Sequence, residues 1–211
     1  MNTVAIVDYG MGNLRSAAKA IEHVAPQARV RVTSDPAALA AADRVVVPGQ
    51  GAMPDCMREL DARGLRGAVM RAAREKPFLG ICIGLQMLFE ASEEGGVAGL
   101  GLLPGRVRRF PAGLSAPGGG RLKVPHMGWN EVRRAGPHPL WTGIAEATRF
   151  YFVHSYYAEA GAPGLVAAVS EHGFPFTCAV AKDNIFAVQF HPEKSADAGL
   201  ALLGNFMRWN P

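Results

Sequence analysis

Short apolar runs alternate along this chain with stretches whose apolar positions recur every three or four residues, and glycine, proline or polar turns separate them. Thr3 to Asp8 is apolar and β-branched, and Leu14, Ala17, Ala18 and Ile21 follow at helical spacing. Val30 to Thr33 predicts a second strand, Pro36 to Ala42 a short helix, and Arg44 to Val47 a third strand closed by Pro48-Gly49-Gln50-Gly51. Leu60 to Arg74 reads as a helix with charged outer positions, stopped by Lys76-Pro77. Pro77 to Gln86 then predicts a buried strand, a sharp turn at Cys82 and the start of a helix. Leu85, Leu88 and Phe89 continue that helical spacing, and Glu93-Glu94-Gly95-Gly96 closes it.

From Leu103 onward the segments shorten, glycine and proline become frequent, and antiparallel strands and hairpins are expected. Pro111 to Gly120 reads as a mobile loop. Arg106, Arg108, Arg109, Arg121 and Lys123 flank it, a patch suited to an acidic surface, a phosphorylated ligand or plain solvent. Arg149 to Tyr157 predicts one aromatic-rich strand. Phe176 to Ala181, a turn at Lys182-Asp183-Asn184, and Ile185 to Phe190 predict a hairpin. The expectation is an α/β fold in one domain spanning 1–211, with a mostly parallel central sheet flanked by helices and an additional antiparallel hairpin region.

Composition narrows the classes. With 211 residues, 49% hydrophobic and 19% charged, the chain can bury one sizeable core. No apolar run approaches the roughly 20 residues of a membrane span, and the N-terminus lacks a basic region followed by an apolar core. A cytoplasmic protein that inserts in no membrane is expected. Cys56, Cys82 and Cys178 are odd in number and far apart, so they suggest neither a disulfide framework nor a metal pair. The net charge of +4 comes from arginines scattered along helices, without the interleaved aromatic stripe of a nucleic-acid surface, so no nucleic-acid partner is expected.

Candidate chemistry centres on Gly80-Ile81-Cys82-Ile83-Gly84. Glycines two residues before and after a cysteine leave room for a strained strand-to-helix elbow, the thiol counterpart of G-x-S-x-G. A sulfur at a helix N-terminus meets the positive end of the macrodipole, and the Ile83 amide points to a developing oxyanion. A small buried cysteine is the alternative, and Cys56 and Cys178 read that way. Two glycines around Gln50 allow its loop to turn an amide of Gln50 or Gly51 inward as a second oxyanion donor, or to be a plain turn. Gln86 is either a group that holds a substrate amide or a solvent-facing side chain. Gly10-Met11-Gly12 lacks the third glycine of a dinucleotide fingerprint and reads as a tight turn at a sheet edge, where ligands or partners dock. Trp129 in Pro125-His126-Met127-Gly128-Trp129-Asn130 is an interface anchor or a core residue.

His191-Pro192-Glu193 decides among these readings. In extended chain a separation of two puts His191 and Glu193 on one side, so Glu193 fixes the imidazole tautomer and the other nitrogen serves a nucleophile. Alone the pair reads as surface charge. Paired with the Cys82 elbow it reads as the remote half of a triad.

These motifs resemble the class I, triad-type glutamine amidotransferases in order and spacing over nearly the whole chain. Gly80 to Gln86 is similar to their nucleophile motif, Pro48 to Gly51 to their oxyanion loop, and Phe190 to Glu193 to their distal triad motif. Asp8 to Asn13, Pro125 to Asn130 and Tyr151 to Tyr156 more narrowly resemble the glutaminase subunits of imidazole glycerol phosphate synthase. The resemblance implies glutamine hydrolysis without metal or cofactor, with Ser155 and Tyr156 backbone and Gln86 holding the glutamine. It also implies ammonia transfer to a cyclase subunit in histidine biosynthesis, and Asn13, Met127, Trp129, Asn130 and Lys194 fall on the implied partner side. A glutaminase feeding anthranilate, guanylate or pyridoxal phosphate synthesis is the runner-up, followed by an interaction subunit with an idle triad. Ile83, Leu85, Met11 and the long loop before Lys123 depart from the common pattern.

Overall fold

The computed structural model describes residues 2–116 and 118–211. In chain order these form β1 (Thr3–Val7), α1 (Leu14–Val24), β2 (Arg29–Thr33), α2 (Pro36–Ala41), β3 (Arg44–Gly49), α3 (Met53–Ala62), α4 (Arg66–Glu75), β4 (Phe78–Cys82) and α5 (Ile83–Gln86). There follow β5 (Phe89–Ser92), β6 (Val97–Ala98), β7 (Leu103–Arg109), β8 (His126–Glu131), β9 (Arg133–Arg134) and β10 (Arg149–His154). The chain continues through β11 (Tyr156–Ala160), β12 (Val166–Glu171), β13 (Pro175–Lys182), β14 (Ile185–Val188) and α6 (Ala196–Arg208).

One twelve-stranded sheet runs β2-β1-β3-β4-β14-β13-β11-β7-β5-β6, with β12 joining β13 to β9. The β2 to β14 half is parallel throughout. Beyond β13 the pairing is antiparallel except between β5 and β7. β8 and β10 form a separate antiparallel ribbon. This is the expected α/β architecture. The order β2-β1-β3 reverses the direction of winding after β2, and right-handed crossovers then place α1 and the α2 to α4 group on opposite faces. α1 packs on α6, and α2 on α4. Strands β3 and β4, covered on both sides, are buried at every position. Arg44 is tolerated there because its guanidinium donates to the Trp209 carbonyl and to Asn210 Oδ1 at the chain's C-terminal end.

Three expectations change. The helix read from Leu60 to Arg74 is two helices, α3 and α4, because Gly64 takes φ +66° and Leu65 N–H closes on the Leu60 carbonyl. The helix after Cys82 is only the four residues of α5. The carbonyls of Met87, Phe89 and Leu88 accept instead from Leu100, Gly101 and Leu102, and Phe89 to Ser92 becomes a strand. Glu93 to Gly96 is therefore the turn of the β5–β6 hairpin, with Gly95 and Gly96 both left-handed. The aromatic run from Arg149 is also divided: it breaks at Ser155, sending β10 to the ribbon and β11 to the main sheet.

Within the stretch read as a mobile loop, Pro117 lies outside the described residues, and Ser115 bridges to Arg121. No helix among the described residues is long and apolar enough to cross a membrane.

Candidate active site

Strand register assembles the site. Gly49 on β3 lies level with Cys82 on β4, and Val188 on β14 lies level with Ile81, so Gln189 emerges beside the cysteine. The ends of three neighbouring parallel strands thus deliver the Gln50 loop, Cys82 and Gln189 to one edge, next to the point where the winding reverses.

Cys82 has φ +56° and ψ −110°, a conformation that costs about 1–3 kcal/mol for a residue with a side chain. The flanking glycines permit it. A Cβ on Gly84 would lie 1.9 Å from the Val47 carbonyl oxygen, and one on Gly80 would lie 2.7 Å from the Gly84 oxygen. Because α5 is a single turn, little macrodipole reaches the sulfur, and side-chain partners carry more of the site's electrostatics than the helical pattern implied.

His191 Nδ1 lies 2.8 Å from Glu193 Oε1. Both side chains are almost wholly buried, which makes their polar partners consequential. They meet through a 3-10 turn at Pro192–Lys194 and not through the extended spacing expected from sequence. Ser195 locks this turn: its hydroxyl donates to the His191 carbonyl at 2.6 Å and accepts from Tyr151 N–H at 3.0 Å. Burial pulls the His191 pKa down, but Cys82 and Glu193 together pull it up further, to about 10. The imidazole therefore holds its second proton at neutral pH. Nε2 has no closed hydrogen bond, although His191 and Cys82 line the same cavity.

That cavity, of about 230 Å³, brings together Gln50, Gly51, Cys82, Ile83 and Gln86 with Ser155, Tyr156, His191 and Lys194. Gln86 is buried, not solvent-facing. Its Nε2 donates to the Tyr156 carbonyl at 3.2 Å and to Gln189 Oε1 at 2.9 Å, while Oε1 has no partner. The Gln50 loop is anchored from below, since Tyr9 donates its hydroxyl to the Pro48 carbonyl at 2.7 Å. The other cysteines offer no thiolate at neutral pH: burial pushes Cys56 up to about 11 and Cys178 further still.

Sequence reasoning missed Gln189, Ser195 and Glu94, which also lines the cavity while accepting from the first amide of α3 at 2.7 Å. A lone glutamine closing the apolar run Ile185 to Val188 was the available signal for Gln189. On the ribbon, Met127 is 62% exposed and Trp129 51%, so Trp129 is not a core residue. Asn130 turns its amide inward, to His126 and the Glu171 carbonyl. Asn13 precedes α1 without capping it through its side chain, and Lys194 is exposed at the cavity mouth. Of the basic patch, Arg106 and Arg108 pair with Glu159, and Arg108 also with Glu93. Arg109, Arg121 and Lys123 line a larger cavity of about 710 Å³ whose lining holds no cysteine, serine or histidine, so size does not locate the chemistry.

Residues 5–208 fit the family model "Glutamine amidotransferase class-I". The chain belongs to that family. It is 69% identical, over the whole of both chains, to "Imidazole glycerol phosphate synthase subunit HisH" of Aromatoleum aromaticum. It is 66% identical to the protein of the same name from Dechloromonas aromatica, covering 99% of this chain and 97% of the other. Among solved structures, this amidotransferase superposes on "Structure of PurLQS from Thermotoga maritima" with TM-score 0.72, 18% identity and 98% coverage of each chain. A Thermoplasma acidophilum structure, "Crystal structure of a putative gmp synthase subunit a protein", gives 0.70 at 18% identity, covering 99% of this amidotransferase and 93% of the other chain. Those two likenesses establish the shared fold.

Proposed function

We propose that this chain is the glutaminase subunit of an imidazole glycerol phosphate synthase, a single domain that hydrolyses glutamine and passes ammonia to a cyclase subunit in the cytoplasm. The observation that carries the chemistry is the meeting, in one cavity, of the Cys82 elbow with His191 held by Glu193. The thiolate of Cys82 attacks the glutamine side-chain carbonyl, and His191 gives its Nε2 proton to the leaving nitrogen as the carbon–nitrogen bond breaks. Water, deprotonated by His191, then cleaves the thioester, releasing glutamate and restoring the thiolate. Amides of Ile83 and of Gln50 or Gly51 stabilise both oxyanions. Gln86 Oε1 and the backbone at Ser155 and Tyr156 hold the amino-acid end of glutamine.

The partner face includes the exposed edge carrying Met127 and Trp129, with Asn130 bracing the ribbon from within, and the family resemblance adds Asn13 and Lys194 to it. An exposed aromatic anchor suits a heterodimer in which ammonia leaves without meeting bulk water. Glutamine turnover measured with and without the cyclase and its nucleotide ligand tests the coupling. A large gain with both present is expected, and Trp129→Ala should weaken cyclase binding by about 2 kcal/mol or more. Equal turnover in both conditions would contradict the coupling.

Glu193→Gln removes the anion that helps hold the His191 proton. Turnover should fall by about two to four orders of magnitude. The sign of the pH effect follows from the raised pKa of His191. The imidazolium contributes stability that is complete below about 6.5, its ordinary value, and is lost as pH rises through about 10. Turnover by the unaltered chain should show an alkaline limb near pH 10, and in Glu193→Gln that limb should move to lower pH.

A further inference from the structure

We propose that Gln189 is a positioning residue for Cys82, and that its amide is held in one orientation by Gln86, whose own amide is fixed by the Tyr156 carbonyl, the acceptor on which a second run from Asn130 through His126 and His154 also ends. The proposal rests on Cys82 being the nucleophile.

Donor and acceptor rules fix the direction of every link. The Tyr156 carbonyl can only accept, so His154 Nδ1, at 2.7 Å, carries a hydrogen and its Nε2 offers a lone pair. His126 Nδ1 lies 2.9 Å from that lone pair and must donate to it. His126 Nε2 is then an acceptor, and Asn130 Nδ2 supplies its hydrogen from 3.1 Å while its second hydrogen goes to the Glu171 carbonyl at 2.7 Å. Both imidazoles must be neutral for this pattern. Burial, reinforced by the neighbouring His172, lowers His126 to about 4, and burial foremost lowers His154 to about 3.

From the other side the same carbonyl accepts from Gln86 Nε2. The second hydrogen of that nitrogen goes to Gln189 Oε1, and a flipped Gln86 would set its oxygen against two acceptors. Gln189 is thereby left with its Nε2 facing Cys82 Sγ at 3.7 Å. Gln189 is wholly buried and Gln86 nearly so, which keeps water from substituting for any link. An N–H aimed at the sulfur holds it in one place for attack. Glu193 accounts for the orientation of His191, and the Gln189 amide does the same for the sulfur.

The test compares Gln189→Met, which keeps the volume and removes the donor, with His154→Phe, which replaces a ring surrounded by Phe110, Phe152 and Phe176 with another ring. The first readout is the rate of Cys82 alkylation by iodoacetamide at pH 7 in the isolated chain, followed by peptide mass. The second is kcat and KM for glutamine with the cyclase bound. In Gln189→Met, alkylation and kcat should both fall about tenfold while KM holds. In His154→Phe the Tyr156 carbonyl still accepts from Gln86, so alkylation should stay within about twofold of the unaltered rate, while the buried His126 Nδ1 loses its acceptor and the thermal midpoint falls. A wild-type alkylation rate in Gln189→Met, or a tenfold loss in His154→Phe, overturns the proposal. Failure of the unaltered complex to turn over glutamine would instead remove the glutaminase reading, and the alkylation comparison would still decide the role of Gln189.

Discussion

Cys82→Ala should abolish ammonia release from glutamine, lowering turnover by about four orders of magnitude or more, because it removes the only atom that can form the thioester. The fold should survive. The change deletes one buried sulfur, an expected cost of about 1 kcal/mol, and leaves the elbow backbone and both glycines in place. Cyclase binding should also persist, since Met127 and Trp129 lie on the separate β8–β10 ribbon. Turnover is read by glutamate formation, and folding by the thermal transition of the same sample. Without the sulfur, the His191 pKa should fall, because Cys82 is the leading influence that raises it.

The second large effect is on the fold itself. Gly84→Ala places a Cβ 1.9 Å from the Val47 carbonyl oxygen and 3.0 Å from its carbon, both backbone atoms of a strand buried at every position. Neither side can yield locally, so α5 must lift from β3. The expected loss is about 3 kcal/mol or more, a fall in the thermal midpoint of about 6–12 °C for a chain of this length. Turnover should fall with it, since the elbow that carries Cys82 is displaced. Gly67→Ala is the matched control: it lies in α4 with nothing within 4 Å of the added Cβ. It should be neutral or stabilising by about 0.5–1 kcal/mol. Equal stability of the two variants would show that the close approach of α5 and β3 does not constrain the elbow.

The part of this site that follows local rules was legible from residues alone. Glycines on both sides of Cys82 announce a tight elbow because sterics act within five residues, and the apolar runs before Asp8, Pro48 and Cys82 announce parallel strands because both faces are buried. What escaped depends on distant chain. The helical spacing of Leu85, Leu88 and Phe89 is real, yet residues 100–102 take their neighbours' carbonyls and convert the segment to a strand. Competition of that kind leaves no trace in a periodicity. The break at Ser155 is similar: a continuous aromatic run serves two sheets because β10 pairs with β8 and β11 with β7. His191 and Glu193 were matched correctly as a pair but through a different backbone, a 3-10 turn pinned by Ser195. Gln189, His126 and His154 were invisible as a set, because a hydrogen-bonded run between strands has no spacing in sequence.

The central claim is that Cys82 is a nucleophile specific for glutamine, and a glutamine-like diazo-ketone tests it most directly. Incubated with the unaltered chain and its cyclase, then digested and read by mass, this reagent should label the peptide carrying Cys82 and leave those of Cys56 and Cys178 untouched. Added glutamine should suppress the label in proportion to its concentration. Labelling of Cys56 or Cys178, or a Cys82 label that glutamine does not protect, would contradict the account.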